Sequence, residues 1–204
     1  MSSSIRALAL VLAIAVSPYQ AAAGEARLGT LVLDPSKTLI EFRLPGSIHT
    51  THGIFKLEHG TIRADLAAGE ASGLIVVDAR SGDSGIGARD DRMKNSVLEV
   101  QRYPTVTLEP RHVSGRLAED GQFQARLQGV LTLHGAGHEI VMDVHGQVVG
   151  DSLVAKSHFL VPYVEWGLTD PSVLFFTVAK QVDVVIATEG HIVWTGEPAR
   201  RSAE

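Results

Sequence analysis

The chain of 204 residues contains no cysteine. Disulfides, thiolate metal ligands and lipid attachment to a cysteine are therefore excluded, and the fold has to rest on its buried core. The sequence also lacks an uncharged apolar run of about 20 residues, the length that crosses a bilayer. Basic side chains are fewer than acidic ones, 18 against 23, which argues against nucleic acid or an anionic membrane as a partner.

Residues 1–23 have the pattern of a secretory signal peptide. Arg6 precedes a short apolar run, and a row of three alanines ends at Ala23. The pattern predicts cleavage near Ala23, a periplasmic or secreted protein and no stable membrane insertion after cleavage. An uncleaved first segment that anchors the chain is the alternative. We expect one domain at residues 24–196 and a flexible polar tail at residues 197–204.

Residues 122–148 alternate between apolar and polar side chains with a period of two, which is typical of strands with one buried face. The apolar positions are Phe123, Ala125, Leu127, Gly129, Leu131, Leu133, Ile140, Met142, Val144, Gly146 and Val148. Between the two runs, Gly135 and Gly137 permit a positive φ at a reversal. The stretch predicts a long antiparallel hairpin, which needs a larger sheet around it because isolated hairpins are marginal in water.

Shorter alternating runs predict further strands on both sides of this hairpin. They are residues 28–33, 40–44, 53–64, 74–77, 106–108, 153–163 and 176–188. Residues 81–87 are rich in Gly and Ser and predict a loop, while residues 89–100 carry apolar side chains at helical spacing. We therefore predict an all-β fold, a single extended antiparallel β-barrel of about eight strands with one short helix. A two-sheet sandwich is the alternative.

Histidines and serines give weak signals for a metal site or for catalysis. The histidine pairs at ligand spacing are His49 with His52 and His134 with His138. Neither pair has an acidic residue at ligand spacing. The residues of hydrolytic type are Ser81, Ser84, Asp90 and His112, but the Gly-x-Ser-x-Gly elbow is absent. We therefore expect no metal, no cofactor and no enzymatic activity.

Several motifs in a fixed order indicate a family. The most specific are Ala88-Arg89-Asp90 followed by Met93 and Tyr103-Pro104-Thr105, and the segment Gly129-Val130-Leu131-Thr132-Leu133-His134-Gly135. Weaker matches are Ile40-Glu41-Phe42, Gly53-Ile54-Phe55 and Gly60. Over residues 29–192 the chain resembles the YceI-like family of polyisoprenoid-binding periplasmic proteins. It departs from the family at Gly46, where a histidine is common, and at Pro162, which interrupts the penultimate strand.

The resemblance implies a lipocalin-like barrel whose apolar tunnel holds a long isoprenoid or a similar amphiphile. A barrel of this size can also be filled by its own side chains, and the residues alone leave both options open. The side chains expected to line the tunnel are Phe42, Phe55, Leu57, Phe123, Leu127, Leu131, Leu133, Met142, Phe159, Trp166 and Phe176. The candidates for contact with a ligand head group are Arg89, Arg92 and His49.

The leading functional hypothesis is a secreted or periplasmic protein that carries or sequesters a long-chain ligand. The ligand classes that fit are a polyisoprenoid, a quinone-like lipid or a fatty-acid-like amphiphile, since burial of methylene groups discriminates poorly between them. A homodimer is one option for the assembly. The competing hypothesis is a stress-related interaction module with a filled barrel and no lipid.

Overall fold

The structure, a computed structural model, describes residues 29–194. The predicted signal peptide at residues 1–23 and the predicted tail at residues 197–204 lie outside this segment. Within the described residues, no helix is long and apolar enough to cross a membrane.

Nine antiparallel strands make up most of the described segment. Their bounds are β1 Gly29–Leu33, β2 Leu39–Leu44, β3 Thr51–Asp65, β4 Glu70–Asp83, β5 Thr105–Leu117, β6 Gln122–Leu133, β7 Ala136–Val149, β8 Ser152–Val161 and β9 Val182–Trp194. The sheet closes on itself, since β3 pairs with both β2 and β4, and β9 pairs with both β2 and β8.

Strands β1 and β2 share one position in the ring. Each pairs with β3 on one side and with β9 on the other, and a 3-10 turn at Pro35–Lys37 separates them. The nine strands found in residues 29–194 therefore occupy eight positions. The prediction of an antiparallel barrel of about eight strands is confirmed.

The central hairpin consists of β6 and β7. Leu127 lies opposite Met142, and the alternating positions Leu127, Leu131, Leu133, Ile140 and Met142 belong to the buried core of the barrel, as the alternation predicts. The reversal is shorter than expected, because pairing continues to Leu133 and leaves His134 and Gly135 as a two-residue turn. Their φ angles are 52° and 77°, which is the type I′ geometry that matches the twist of paired strands.

The observed helical segment begins and ends earlier in the chain than the predicted helix at residues 89–100. Helix α1 spans Gly87–Arg92 and continues as a π-helical turn at Met93–Val97, in which the N–H of Leu98 donates to the carbonyl of Met93 over 2.9 Å. Glu99 has a φ of 48°, and this left-handed conformation ends the helical segment. The apolar spacing alone does not reveal that change of backbone direction.

Strand β4 is longer than predicted, because residues 81–83 belong to it rather than to a loop. The N–H of Lys56 donates to Ser81 Oγ over 2.8 Å, so the serine hydroxyl partly replaces a ladder bond at an irregular stretch of the β3–β4 pairing. At Gly82 a Cβ atom would come within 2.7 Å of Phe55 and Met93. This glycine therefore reflects close packing, whereas in the sequence it looked like a loop residue.

Strand β9 begins later than predicted. Residues 176–181 precede it, and Phe176 instead forms an isolated bridge with Val173. Strand β8 ends at Val161, directly before Pro162, which has no N–H to donate to a ladder. The segment between the two strands covers one end of the barrel together with α1. We call this end the helix end, and the other end, where Asp65 and Glu70 flank the β3–β4 turn, the filled end.

Candidate functional site

An apolar cavity of about 380 Å³ occupies the helix end of the barrel. Its walls come from β2, β3, β4, β5, β6, β8 and β9, and α1 with the segment after β8 contributes the rest. The apolar lining includes Ile40, Phe42, Leu44, Phe55, Ile75, Val77, Met93, Val97, Leu98, Val106, Leu108, Leu131, Leu133, Phe159, Val161, Tyr163, Leu168, Val178, Val182, Val184 and Ile186. A volume of this size lies in the range of small-molecule sites in proteins.

The two ends of the barrel differ in how their inner faces are occupied. Toward the filled end the interior is packed with buried side chains that include Leu33, Leu57, Val113, Leu127 and Met142. At the helix end, Val182 and Val184 of β9 border the cavity, as do Leu133 of β6 and Phe159 of β8. The space that the side chains leave unfilled therefore lies beneath α1.

Most polar groups that line the cavity lie at or beside α1. They are Arg89 and Arg92 of α1, Ser84 before it and Thr51, which contacts Arg89, whereas Thr107 lies in β5. Arg89 is held by three hydrogen bonds: Nε donates to Ser84 Oγ over 2.7 Å, Nη2 to the Ser84 carbonyl over 2.6 Å, and Nη1 to Thr51 Oγ1 over 3.3 Å. This guanidinium therefore fastens the segment before α1 to the start of β3.

Arg92 differs from Arg89 in its surroundings. It is exposed to solvent and also lines the cavity, which places it where the cavity opens. Arg92 is thus a cation within reach of the polar end of a molecule whose apolar part lies inside.

Asp90 is a carboxylate buried at 8 % exposure beside this opening. It accepts hydrogen bonds from the hydroxyl of Ser84 and, over 2.9 Å, from the N–H of Ser84. The Ser84 hydroxyl is the main cause that lowers the pKa of Asp90 below its ordinary 3.8, and burial opposes it in part. Ser84 therefore links the two motif residues Arg89 and Asp90.

We expect Asp90→Asn to destabilise the fold by about 1.5–3 kcal/mol at neutral pH, the range for a hydrogen bond to a charged group. Because the pKa of Asp90 is lower in the folded state, its ionised form stabilises the protein above pH 3.8, and this contribution is lost as the pH falls further. The difference between wild type and variant should therefore shrink below about pH 4. Urea denaturation across a pH series measures it.

Asp91→Asn is the control for this experiment. Asp91 is the adjacent carboxylate, and its side chain is exposed. Its replacement should change the free energy of unfolding by no more than about 0.5 kcal/mol at any pH. An Asp90→Asn effect that is constant from pH 7 to pH 3 would contradict the assigned role of the ionised carboxylate.

The segment between β8 and β9 is fixed by two polar contacts. Tyr163 donates its hydroxyl to the carbonyl of Ala179 over 2.9 Å, and burial, together with the charge of Asp170, raises the pKa of Tyr163 to about 12. Asp170 pairs with Lys180, and the hydrogen bond from Lys180 is the main cause that lowers the pKa of Asp170 to about 2. These contacts tie the start and the middle of the segment to its last residues before β9.

The structure places the predicted ligand-contact residues in several locations. Those that line the cavity are Phe42, Phe55, Leu131, Leu133, Phe159, Arg89 and Arg92. Leu57, Leu127 and Met142 are buried in the packed core. Phe123 is partly buried opposite Gly146, and Trp166 stacks on His138 with ring centroids 4.1 Å apart. Phe176 is 61 % exposed and His49 is also exposed.

Several lining residues were not singled out from the sequence. Met93, Val97 and Leu98 belong to the helical segment, whose apolar spacing was recognised without its position over the barrel opening. Val182 and Val184 belong to β9, where alternation predicted an inner face but not which part of that face borders a void. The feature of the sequence that could have indicated these residues is the single helix in an all-β chain, since an isolated helix can cover one end of a barrel.

The residues considered for hydrolysis either make hydrogen bonds within the β4–α1 region or lie apart from one another in the described segment. No group of three His, Asp or Glu residues in the described segment is arranged to hold a metal ion. The hydroxyl of Ser81 donates to the carbonyl of Asp78 over 2.5 Å, and Ser84 is bound to Asp90. His112 lies in β5 opposite Gln128, away from both serines.

Comparisons with known proteins agree with this geometry. In solved structures, the chain is similar to BcnA from Burkholderia cenocepacia, with 16 % identity and a TM-score of 0.64 over 77 % of this chain and 98 % of that one. A polyisoprenoid binding domain from Saccharophagus degradans, implicated in plant cell wall breakdown, gives 18 % identity and a TM-score of 0.57 over 79 % and 97 %.

A third similar structure is the YCEI protein of Campylobacter jejuni, with 15 % identity and a TM-score of 0.51 over 68 % of this chain and 81 % of that one. Likenesses at this identity establish the fold. A search of curated proteins gave no significant match. The model of the YceI-like domain matches residues 31–190, which include all nine strands at least in part, the helix and the cavity. The chain therefore belongs to the YceI-like family.

Proposed function

We propose that the protein binds a long-chain apolar ligand in the cavity at the helix end and carries or sequesters it without catalysis. The observation that carries this proposal is the apolar cavity of about 380 Å³ at the helix end, with the exposed Arg92 in its lining. Support also comes from the Saccharophagus degradans relative, described as a polyisoprenoid binding domain. Polyisoprenoid, quinone-like and fatty-acid-like chains all remain candidates for the ligand.

The volume limits how much of a chain fits. A water molecule occupies about 30 Å³, and we take the same volume for one methylene group. The cavity then holds roughly a dozen methylene groups. Their removal from water contributes about 0.8 kcal/mol each, close to 10 kcal/mol before ordering costs. A longer isoprenoid would have to extend out of the opening or displace side chains toward the filled end.

The position of Arg92 predicts a preference for an anionic head group. We expect Arg92→Gln to weaken the binding of a polyprenyl phosphate by about three- to tenfold, since partly solvated charge pairs contribute about 1 kcal/mol. Binding of the uncharged polyprenol should change by less than about twofold. Fluorescence titration with both ligands at low salt measures the difference.

Arg63→Gln serves as the matched control, because Arg63 is an exposed arginine of β3 that pairs with Thr30 of β1, toward the filled end. This variant should bind both ligands like wild type. Equal losses for phosphate and alcohol in Arg92→Gln would contradict a charge contact and would indicate a change in the shape of the opening.

The experiment that tests the function is native mass spectrometry of the protein purified without detergent, before and after organic extraction. We expect an additional mass that extraction removes and that returns on incubation with a polyprenyl lipid. A protein that carries no lipid and takes none up would refute the proposal. The competing hypothesis of a module with a filled barrel predicts that result, but a filled barrel would not contain the cavity at the helix end.

We further propose that the protein works in the periplasm or outside the cell. The signal-peptide pattern at residues 1–23 supports this, and the resemblance to a periplasmic family agrees with it. Cell fractionation, with N-terminal sequencing of the exported form, tests it. A first residue near Gly24 is the expected result.

A further inference from the structure

An exposed apolar turn borders the opening of the cavity. Leu174 and Phe175 form its tip and are 87 % and 90 % exposed. Val173 and Phe176 close the turn by two backbone hydrogen bonds of 2.9 and 2.8 Å, so the tip is held away from the barrel. Large apolar side chains this exposed and adjacent to one another indicate an interaction surface.

A second loop extends the same surface. The N–H of Ser47 donates to the carbonyl of Thr177 over 2.8 Å, and the N–H of Ala179 donates to the carbonyl of Pro45 over 2.8 Å. These contacts bring Ile48, which is 69 % exposed, beside the apolar turn. We call Ile48, Leu174, Phe175 and Phe176 the apolar rim.

The charge pattern of the two loops suits an uncharged medium. Residues 44–55 and 171–179 contain no Asp, Glu, Lys or Arg, although such residues make up 20 % of the chain. Exposed aromatic and aliphatic side chains are the ones that enter the interface of a bilayer. Two side chains at the tip of a protruding turn form a convex shape, which suits a soft surface better than the flat, self-complementary face of a twofold dimer.

The position of the rim connects it with the cavity. Leu44 and Thr51 flank one loop, Pro171 and Val178 flank the apolar turn, and all four line the cavity. The described chain begins and ends at the opposite end of the barrel, where Gly29 pairs with Trp194. That point is separated from the rim by the length of β9, about 40 Å at ~3.3 Å per residue.

We propose that the apolar rim docks the helix end of the barrel on a lipid bilayer, so that a long-chain ligand passes between membrane and cavity without crossing water. The biological purpose of the docking rests on the proposed function, but membrane binding itself can be tested without it. The formal charge of −5 disfavours an anionic surface, so the expected partner is the apolar interface of a zwitterionic bilayer.

The test is flotation of the protein with phosphatidylcholine vesicles. The double variant Leu174→Ser with Phe175→Ser should bind the vesicles at least about tenfold more weakly than wild type, because it removes the two most exposed apolar side chains. The control is Val149→Ser with Val154→Ser, which removes two other exposed apolar side chains from β7 and β8. This control should partition like wild type.

Further readouts separate this inference from the proposed function. Neither Leu174 nor Phe175 lines the cavity, so the double variant should bind a soluble fluorescent polyprenyl probe within about twofold of wild type but should take the probe up from vesicles more slowly. If wild type floats with the vesicles but binds no probe, the proposed ligand-binding function is refuted and the docking proposal still stands. The docking would be overturned if wild type does not float with the vesicles or if the double variant floats like wild type. It would also be overturned if the only effect of the double variant is to dissociate a dimer.

Discussion

Leu127→Asp is expected to prevent folding or to leave too little folded protein to purify. Leu127 is buried on the inner face of β6, opposite Met142 on β7 and Val113 on β5. Truncation of a packed leucine alone costs about 2–5 kcal/mol. A carboxylate without a partner in the barrel interior adds its own desolvation cost. The sum is comparable with the whole stability of a small domain, about 5–15 kcal/mol.

Gln128→Asp is the matched control for this prediction. Gln128 is the next residue on the same strand, but its side chain points to solvent. Since neighbouring residues of a strand face opposite sides, the same aspartate should be tolerated there within about 0.5 kcal/mol. Soluble yield and urea denaturation followed by circular dichroism measure both variants. Similar stabilities for the two would show that the register of β6 is wrong.

The second large effect is expected from Leu133→Trp, which should weaken ligand binding by about tenfold or more with little loss of stability. Leu133 is on the same strand and the same inner face as Leu127, but it borders the cavity. An indole exceeds a leucine side chain by about two methylene volumes, and ligand groups displaced at ~0.8 kcal/mol each lower the affinity by about tenfold or more. The open space accommodates the indole without overpacking.

Leu127→Trp provides the comparison, because the same enlargement at the packed part of β6 should cost about 1–3 kcal/mol of stability. It should affect ligand affinity less than Leu133→Trp does. Both proteins would be unfolded with and without ligand, and the ligand-dependent stabilisation gives the affinity. An equal stability loss in the two variants, with ligand binding unchanged, would mean that the helix end is not a ligand cavity.

The strand pattern and the family motifs carried most of the fold prediction. Alternation on β6 and β7 is a local property, since each residue of a strand faces the side opposite to its neighbours, and it gave the correct inner face. The predicted boundaries differ where local signals compete with pairing. Ser81 and Gly82 look like loop residues, but β3 supplies hydrogen-bond partners and close packing that draw them into β4.

The ligand-contact residues show the same division. Phe42, Leu133 and Phe159 line the cavity, whereas Leu127 and Met142 have the same residue character and the same inward orientation but lie in the packed core. Periodicity identifies the inner face of a strand, and it contains no information about the distance to the opposite wall. That distance depends on which side chains meet across the barrel.

The sequence by itself determined the all-β class, the inward face of the long hairpin and the family, because strand alternation and short motifs are encoded within a few neighbouring residues. Only the tertiary structure decided which end of the barrel is hollow, that α1 covers this end, and that Leu174 and Phe175 protrude beside the opening. Each of these depends on side chains and loops far apart in the chain, whose relative positions are set when the sheet closes.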